Sequence, residues 1–303
     1  PSKGSSLFST ALYVNILKRF SHKIQLESGI RYTFSKLIGN YPEYSEIGGG
    51  DLYDLLNESS SLISSITSGN IKIIYYPKDS WKISSVTSRG FHAPNVDDMF
   101  KIHLKAMDNS YRLTVPYKDL KPEYSLSQEI SITKEISNQI TLYGIGFYTI
   151  LKNSIILDTL FRDAGIDGQE WIVSSMQYDG EFATTFANQN SKELVNIYGL
   201  TFGFNAKIAG FKIAHDINIT KYINNDENHG AFAHIPPVFG KLDIIKDFNR
   251  WRFRLICLFS GSKISTEFDN ADIDNLSETP VIGASEGPMG LSYEYAGLPS
   301  WYT

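Results

Sequence analysis

Along most of the chain, apolar and polar side chains alternate with a period of two. In residues 23–34, for example, Ile24 and Ile30 share one face while Glu27 and Arg31 lie on the other. Successive side chains of a β-strand point to opposite sides of a sheet, so this period predicts strands. No helical period is sustained long enough to compete. The sequence therefore predicts an all-β fold.

The same rule predicts about ten strands over the whole chain. Residues 51–64 also fit a short helix within a loop. The predicted strands span residues 7–17, 23–34, 68–76, 81–89, 124–135, 139–151, 182–206, 211–221, 235–246 and 251–260.

The connections between these strands are alternately very short and very long. The short ones are residues 18–22, 77–80, 136–138, 207–210 and 247–250. The long ones are residues 35–67, 90–123, 152–181, 222–234 and 261–299. In an up-and-down antiparallel sheet every second connection leaves from the same edge, so one edge has tight turns and the other has long loops. Outer-membrane barrels are built this way, whereas a soluble sandwich or propeller explains the alternation within strands but not the unequal connections.

Composition excludes several other classes. The formal net charge is -5 and the pI is about 5.7, which argues against a nucleic-acid partner. Cys257 is the single cysteine, so neither a disulfide framework nor a cysteine-rich zinc site holds the fold together. No apolar run approaches the roughly 20 residues of a membrane helix. Strands that alternate apolar and polar side chains remain compatible with a membrane, as a closed antiparallel transmembrane β-barrel.

In such a barrel the apolar face meets lipid and the polar face lines a wet lumen. The charged residues predicted to face the lumen are Glu27, Arg31, Glu129, Glu135 and Asp216. Two polar residues, Gln128 and His215, fall on the apolar side and break the pattern.

Four segments carry a family resemblance. Gly90, Phe91, His92, Ala93, Pro94 and Asn95 are similar to a Gly-Phe-Arg-Ala-Pro-Asn-type motif. Asp119, Leu120, Lys121, Pro122 and Glu123 are similar to an Asn-Pro-Asp-Leu-Lys-Pro-Glu motif. Residues 178–204 resemble a stretch with Tyr-Asp-Gly-Glu, Ala-Asn-Gln-Asn and Ile-Tyr-Gly, and His234, Pro236 and Pro237 belong to a His-Ile-Pro-Pro strand entry. In this order they resemble the C-terminal barrel portion of TonB-dependent outer-membrane receptors, especially of Bacteroidetes-like bacteria.

The resemblance implies a nutrient importer in the outer membrane of a Gram-negative bacterium, without a cofactor. We expect residues 1–303 to form a single partial barrel domain, about ten of 22 strands, with the plug, the early strands and the final strands outside this chain. The implied partners are TonB, acting through the missing plug, outer-membrane lipid and a transported small molecule: an iron chelate, haem, cobalamin or glycan. A soluble all-β binding module and an outer-membrane enzyme are the alternatives.

Candidate ligand contacts lie in the predicted extracellular loops. They are Arg89, His92, His103, His229 and Asp272. His92 stands where the family motif usually has Arg, and His103 lies where haem receptors of this family tend to carry a haem-ligating His. The acidic segment 270–278 lacks the Gly and Glu spacing of a calcium loop, and the six histidines lack the spacing of a helical zinc site, so we predict no metal site. No nucleophile-elbow pattern is present, and we predict no catalytic residues.

Overall fold

A computed structural model describes residues 5–39, 61–107, 110–117, 119–159, 161–163, 170–172, 176–178, 181–224, 235–264, 281–287, 290–295 and 301–302. Almost all of the regular structure in these ranges is β-strand, as predicted. None of the helices in the described part of the chain has the length and apolar character needed to cross a membrane.

The elements are listed here in chain order. They are β1 (Ser5–Arg19), β2 (Ile24–Gly39), β3 (Ser61–Tyr75), β4 (Trp81–His92), α1 (Val96–Phe100), β5 (His103–Met107), β6 (Ser110–Val115), β7 (Glu123–Ser137), β8 (Ile140–Lys152), β9 (Ile155–Thr159), β10 (Phe161–Asp163), β11 (Glu170–Ile172), β12 (Met176–Tyr178), β13 (Glu181–Asn190), β14 (Val195–Ile208), β15 (Phe211–Asn224), β16 (Phe239–Phe248), β17 (Trp251–Ser260), β18 (Val281–Gly287), β19 (Gly290–Tyr295) and β20 (Trp301–Tyr302).

Eleven of these strands form one antiparallel sheet in the order β1-β2-β3-β4-β7-β8-β14-β15-β16-β17-β20. Five tight turns join its neighbours at one edge, which confirms the predicted alternation of connections. The turn between β14 and β15 shows how tight they are: Ile208 pairs with Phe211, and the two residues between them, Ala209 and Gly210, have φ of 50° and 77°. Two left-handed residues make the turn whose twist matches that of a hairpin.

The structure corrects several predicted boundaries. The predicted strand 182–206 is wrong as a single strand, because β13 ends at Asn190 and β14 begins at Val195. β13 joins a separate five-stranded sheet with β5, β6, β9 and β12. Residues 61–64 are strand and not helix, and residues 51–60 of that predicted helix lie outside the described residues. β16 begins later than predicted, at Phe239, because two of the preceding residues are prolines, which lack the N–H of a strand ladder.

The register of the long strands has a regular stagger. Ile24 is the first residue of β2. If its register partner is taken in each successive strand of the sheet, the series ends at Phe259 in β17. β17 begins at Trp251, so the tight-turn edge shifts by eight residues over the eight steps from β2 to β17. A shear of about one residue per strand gives a strand tilt near 36° in a closed barrel. The sheet therefore has the geometry of a barrel wall, although within the described residues it does not close.

The two faces of the sheet differ in polarity. One face, called the outward face below, carries exposed apolar side chains on every long strand except β4, where the outward apolar residues are half-buried; among the exposed ones are Leu12, Ile30, Ile71, Ile130, Tyr148, Phe202, Ile223, Phe248 and Leu255. A continuous exposed apolar surface of this size needs an apolar environment to cover it. The opposite, inward face carries the charged residues predicted for the lumen, all five of which share it by register.

The two polar residues that break the outward pattern have partners within the sheet. Gln128 accepts a hydrogen bond from Thr87 Oγ1 at 2.5 Å and donates one to Ser85 Oγ at 2.9 Å. His215 Nδ1 donates to the carbonyl oxygen of Lys241 at 2.9 Å, and its ring stacks on Phe259 and contacts Phe204 at a tilted angle. Because lipid offers no hydrogen-bonding partner, a polar side chain on this face needs a partner within the protein.

Candidate functional site

The long connections are packed onto the inward face at the loop edge of the sheet. Two of them form a layer that we call the loop platform, made of the described residues 93–122 and 153–194 with α1, β5, β6, β9 and β13. In its centre β6 and β13 pair in parallel, and β9 pairs with the other edge of β13. The platform lies where a barrel would open to the outside, so it is the first candidate for ligand contact.

α1 is a single short helix with a complete N-terminal cap. Asn95 Oδ1 accepts the backbone N–H groups of Asp97 and Asp98 at 2.7 and 3.1 Å, and Asp98 Oδ2 accepts the N–H of Asn95 at 2.8 Å. This reciprocal capping box satisfies donors that a helix start leaves without partners. The Ala-Pro-Asn end of the predicted family motif thus starts the platform helix, immediately after β4 ends.

Apolar side chains attach α1 to the barrel wall. Met99 and Phe100 are 0% and 1% exposed and pack against Leu37 of β2 and Leu120 of the platform. Gly39 provides the space, since a Cβ there would lie 2.7–2.8 Å from three carbons of the Phe100 ring. This cluster is the main buried core near the mouth, and it folds the connection inward over the lumen.

Two of the family-like motifs meet inside the platform. Asn190 Oδ1 accepts the backbone N–H of Lys121 at 2.7 Å, while its Nδ2 donates to the carbonyl oxygens of Lys121 and Asn153 at 2.8 and 2.9 Å. Asn188 Nδ2 donates to the carbonyl oxygen of Asp98 at 3.0 Å. The Ala-Asn-Gln-Asn segment therefore connects both long connections through side-chain amides and backbone groups. No pattern in the sequence could have indicated these contacts, which depend on the folded path of two loops.

A third contact links the ends of β4 and β7. His92 Nδ1 lies 2.9 Å from Glu123 Oε2, and the two residues are register partners on the inward face. The other oxygen of Glu123 accepts the backbone N–H of Ile155, the first residue of β9, at 2.6 Å. His92, which replaces the usual Arg of the motif, thus contacts a carboxylate that also holds the platform.

Below the platform, towards the tight turns, the inward wall has a depression of about 570 Å³. Small residues on β2, β3 and β4 create it: Gly29, Ser68, Ser88 and Gly90 leave the backbone uncovered. Arg31 is the charged inward residue at its rim and donates from Nε to Thr33 Oγ1 at 3.1 Å. The depression presents hydroxyl, amide and guanidinium groups, which suit an oxygen-rich or anionic ligand.

The predicted ligand contacts fall in three places. His92 is on the inward face at the mouth, and His103 is exposed at the start of β5 in the platform. Arg89 lies within β4 and points outward, where its guanidinium carbon is 4.8 Å from the centre of the Tyr124 ring. His229, Asp272 and the motif residue His234 lie outside the described residues. The ligand role of all five remains a prediction.

The remaining motif residues have structural positions. Leu120 is buried in the cluster with Phe100, Pro94 is buried beside α1, and Asp119 is exposed. Phe91 points outward as the register partner of Tyr124. Pro236 and Pro237 line a smaller pocket of about 250 Å³ near Tyr222 at the loop edge. Among the residues that the structure describes, no three His, Cys, Asp or Glu side chains come together as metal ligands.

Residues 1–284 match the family described as TonB dependent receptor-like, β-barrel. Three solved structures are similar in fold. The siderophore receptor PirA from Acinetobacter baumannii shares 13% identity over 99% of this chain and 47% of its own, with a TM-score of 0.59. The pyoverdine receptor FpvA from Pseudomonas aeruginosa shares 12% over 98% and 35%, with a TM-score of 0.61. The iron transporter FrpB from Neisseria meningitidis shares 10% over 98% and 37%, with a TM-score of 0.58.

No curated protein matches the chain in sequence. The chain spans between about a third and a half of the length of these structures, from 35% to 47%. At 10–13% identity, the similarity to these structures shows the fold alone.

Proposed function

The chain belongs to the TonB-dependent receptor β-barrel family of the Gram-negative outer membrane, and on this premise we propose that it forms the wall and mouth of a receptor that imports a scarce nutrient. Its outward face would contact lipid, and its loop platform and inward depression would contact the cargo. Like other members of the family it would act with TonB, through a plug outside this chain. The observation that carries the proposal is the combination of an apolar outward face with a platform folded over the opposite, polar face.

Two features of the inward wall support a polar cargo. The depression next to Arg31 offers serine hydroxyls and backbone groups, and Glu27 and Lys72 form an ion pair of 3.2 Å on its tight-turn side. A cargo with several oxygen atoms, such as an iron chelate, suits such a surface best. Among the similar structures, PirA is described as a siderophore receptor, FpvA as bound to pyoverdine and FrpB as an iron transporter. We therefore propose a ferric chelate as the first cargo to test, with haem, cobalamin and glycans as the others.

Uptake by cells tests the function directly. The gene for the full-length protein would be deleted, and accumulation of ferric chelates, haem, cobalamin and glycans would be compared with the parent strain and with a strain lacking TonB. We expect both strains to lose uptake of the same compound and complementation to restore it. Normal uptake of every compound in the deletion strain would reject the import function.

A further inference from the structure

The two faces of the sheet differ in the sign of the charges that their long strands carry: the inward face has both signs, and the outward face has only cations. In the ten described long strands, every acidic residue faces inward: Glu27, Glu123, Glu129, Glu135, Asp216, Asp243 and Asp247. Every charged residue on their outward face is cationic: Lys18, Lys36, Arg89, Lys134, Lys152, Lys221 and Lys246. If the outward face simply excluded charged residues, it would carry neither acidic nor basic side chains. An outward surface with cations alone is complementary to anionic groups in the surrounding lipid.

These cations occupy two levels. Lys18, Lys134 and Lys246 lie within three residues of a tight turn. The others lie 8 to 12 residues from the tight-turn end of their strands. A tilted strand rises about 2.7 Å per residue along the barrel axis, so the second level is roughly 21–32 Å from the first edge. The apolar band of outer-membrane barrels is about 25 Å tall, which puts the two levels at its two boundaries.

At the loop-side boundary two of the cations flank one aromatic ring. The Arg89 guanidinium carbon lies 4.8 Å from the centre of the Tyr124 ring, and Tyr124 is the register partner of Lys152. Stacking on the ring covers one face of the guanidinium and leaves its N–H edge available. A guanidinium and an ammonium on either side of a ring form a suitable pair of donors for a phosphate group.

An apolar groove of about 440 Å³ lies below this cluster on the same outward face. Its floor is Gly144 and Gly146 of β8, and its walls include Ile130 on one side and Leu200 and Phe202 on the other. The floor is open because these two residues have no side chain. β8 links the two features, since its outward positions run from Lys152 down to Gly146, six residues earlier, or roughly 16 Å.

We propose that Arg89, Lys152 and Tyr124 bind a phosphate group of lipopolysaccharide in the outer leaflet, with one of its acyl chains in the glycine-floored groove. The loop edge faces the exterior in barrels of this construction, and the outer leaflet is where lipopolysaccharide carries its phosphates. This orientation belongs to the proposed function, on which the inference rests. Simple extension of lysine side chains towards water is the competing explanation for cations at a membrane boundary.

Lipid binding to the purified full-length protein tests the site. Native mass spectrometry in detergent would measure binding of diphosphorylated lipid A, dephosphorylated lipid A and phosphatidylglycerol. Arg89→Gln/Lys152→Gln is the test variant, and Lys18→Gln/Lys246→Gln, which removes two outward cations at the opposite boundary and away from the groove, is its control. We expect the test variant to bind diphosphorylated lipid A about tenfold more weakly or worse, because it removes both charge-assisted contacts to the phosphate. The control should stay within about twofold of the parent.

A second variant addresses the groove without changing charge. Gly146→Leu should fill it, because a Cβ at Gly146 lies 3.3 Å from Leu200 Cδ2 and the added branches extend into the open volume. We expect weaker lipid A binding. The variant should still migrate differently on a gel before and after heating, as a folded barrel does. Equal losses in both double variants, or equal binding of dephosphorylated lipid A, would overturn the proposal in favour of simple extension of the lysines. Because cargo uptake is measured separately in cells, loss of this inference leaves the import proposal testable.

Discussion

The side chain of Asn190 brackets the backbone of Lys121, accepting from its N–H at 2.7 Å and donating to its carbonyl oxygen at 2.8 Å. The two residues belong to different long connections, one after β4 and the other after β8. A primary amide that pairs with both polar groups of one residue replaces the partners that a neighbouring strand would supply. Asn190 therefore adds a second link between the two halves of the platform, beyond the end of the β6–β13 ladder that joins them at residues 112–115 and 184–187.

Asn190→Ala should loosen the platform without unfolding the barrel wall. The variant removes three hydrogen bonds and leaves the N–H of Lys121 without its partner, a loss of about 1–3 kcal/mol locally. Hydrogen exchange on the full-length protein should show faster exchange at residues 119–121 and 153–156 and unchanged exchange in β7 and β8. Asn205→Ala is the control, since Asn205 is an exposed inward residue of β14. Protection unchanged at Lys121 in Asn190→Ala would contradict this role.

Glu123→Ala and Glu123→Gln should separate two functions of one carboxylate. Glu123 contacts His92 with one oxygen and accepts the N–H of Ile155 with the other. Glutamine keeps an acceptor for Ile155, so we expect little change, whereas alanine removes both contacts. Exchange at Ile155 should rise by about tenfold for Glu123→Ala, corresponding to roughly 1.4 kcal/mol. His92→Ala should leave Ile155 protected. A similar increase in Glu123→Gln would show that charge, and not the hydrogen bond, holds β9.

Gly39→Val should detach α1 from the wall. A Cβ at Gly39 lies 2.7–2.8 Å from the Phe100 ring, and that ring is enclosed by its cluster, so it has to leave. Overpacking of this kind costs about 1–3 kcal/mol. We expect faster proteolysis within residues 96–107 and normal heat-modifiable migration. Gly144→Ala is the matched control, because its Cβ meets Phe202 at an ordinary 3.4 Å. Intact protection of α1 in Gly39→Val would mean that the cluster adapts more easily than the distances indicate.

Ser68→Trp and Thr67→Trp test which face handles cargo. The two are neighbours on β3 with side chains on opposite faces: Ser68 lines the inward depression and Thr67 points outward. Tryptophan at residue 68 should fill the depression and reduce uptake of the cargo strongly, whereas at residue 67 it should be accepted by lipid and leave uptake near the parent level. Radiolabelled uptake at equal protein abundance in the outer membrane measures both. The reverse order of effects would show that the faces are assigned incorrectly.

Most of the barrel wall was predictable because most of its strands, β14 being the main exception, follow a local rule. Residues 23–34 and 211–221 alternate with one interruption each, Ser28 and His215, and their turns are too short for anything but a hairpin, so strand positions and pairing follow from nearest neighbours in the chain. The inward position of Glu27 and Asp216 follows from the same period. Even the exceptions Gln128 and His215 were visible as breaks in the pattern, although their hydrogen-bonding partners were not.

The platform was not predictable, because its structure depends on contacts between segments far apart in the chain. The sequence prediction joined β13 and β14 into one strand, although residues 188–193 are six consecutive polar residues, and in the structure β13 pairs instead with β6 and β9. The parallel pairing of β13 with β6 has no local signal. The resemblance pointed to the segments that contain Lys121 and Asn190, but the contact between these two residues could be seen only in the folded structure.

Thr87→Val and Gln128→Leu should change stability in opposite directions if the outward face meets lipid. Gln128 lies among apolar residues of β7 and has its oxygen paired with Thr87 and its amide nitrogen with Ser85. Thr87→Val removes one partner and leaves the Gln128 oxygen facing hydrocarbon, which should cost about 1 kcal/mol. Gln128→Leu removes the amide itself and lets the hydroxyl groups bond to nearby backbone, so its free energy of unfolding in lipid should equal or exceed that of the parent.

The measurement is denaturant unfolding of the full-length protein in lipid vesicles, with Ser88→Ala on the inward face as a control expected to stay within about 0.5 kcal/mol. If this face met water instead, Gln128→Leu should be no more stable than Thr87→Val, because an exposed leucine gains nothing in water and water solvates the amide of Gln128 at no cost. Destabilisation by Gln128→Leu in vesicles would therefore place this face against a polar partner. In that event the apolar band would be a contact surface for another protein around Gln128, and the barrel orientation, the lipid site at Arg89 and the inward position of the depression would all have to be reassigned together.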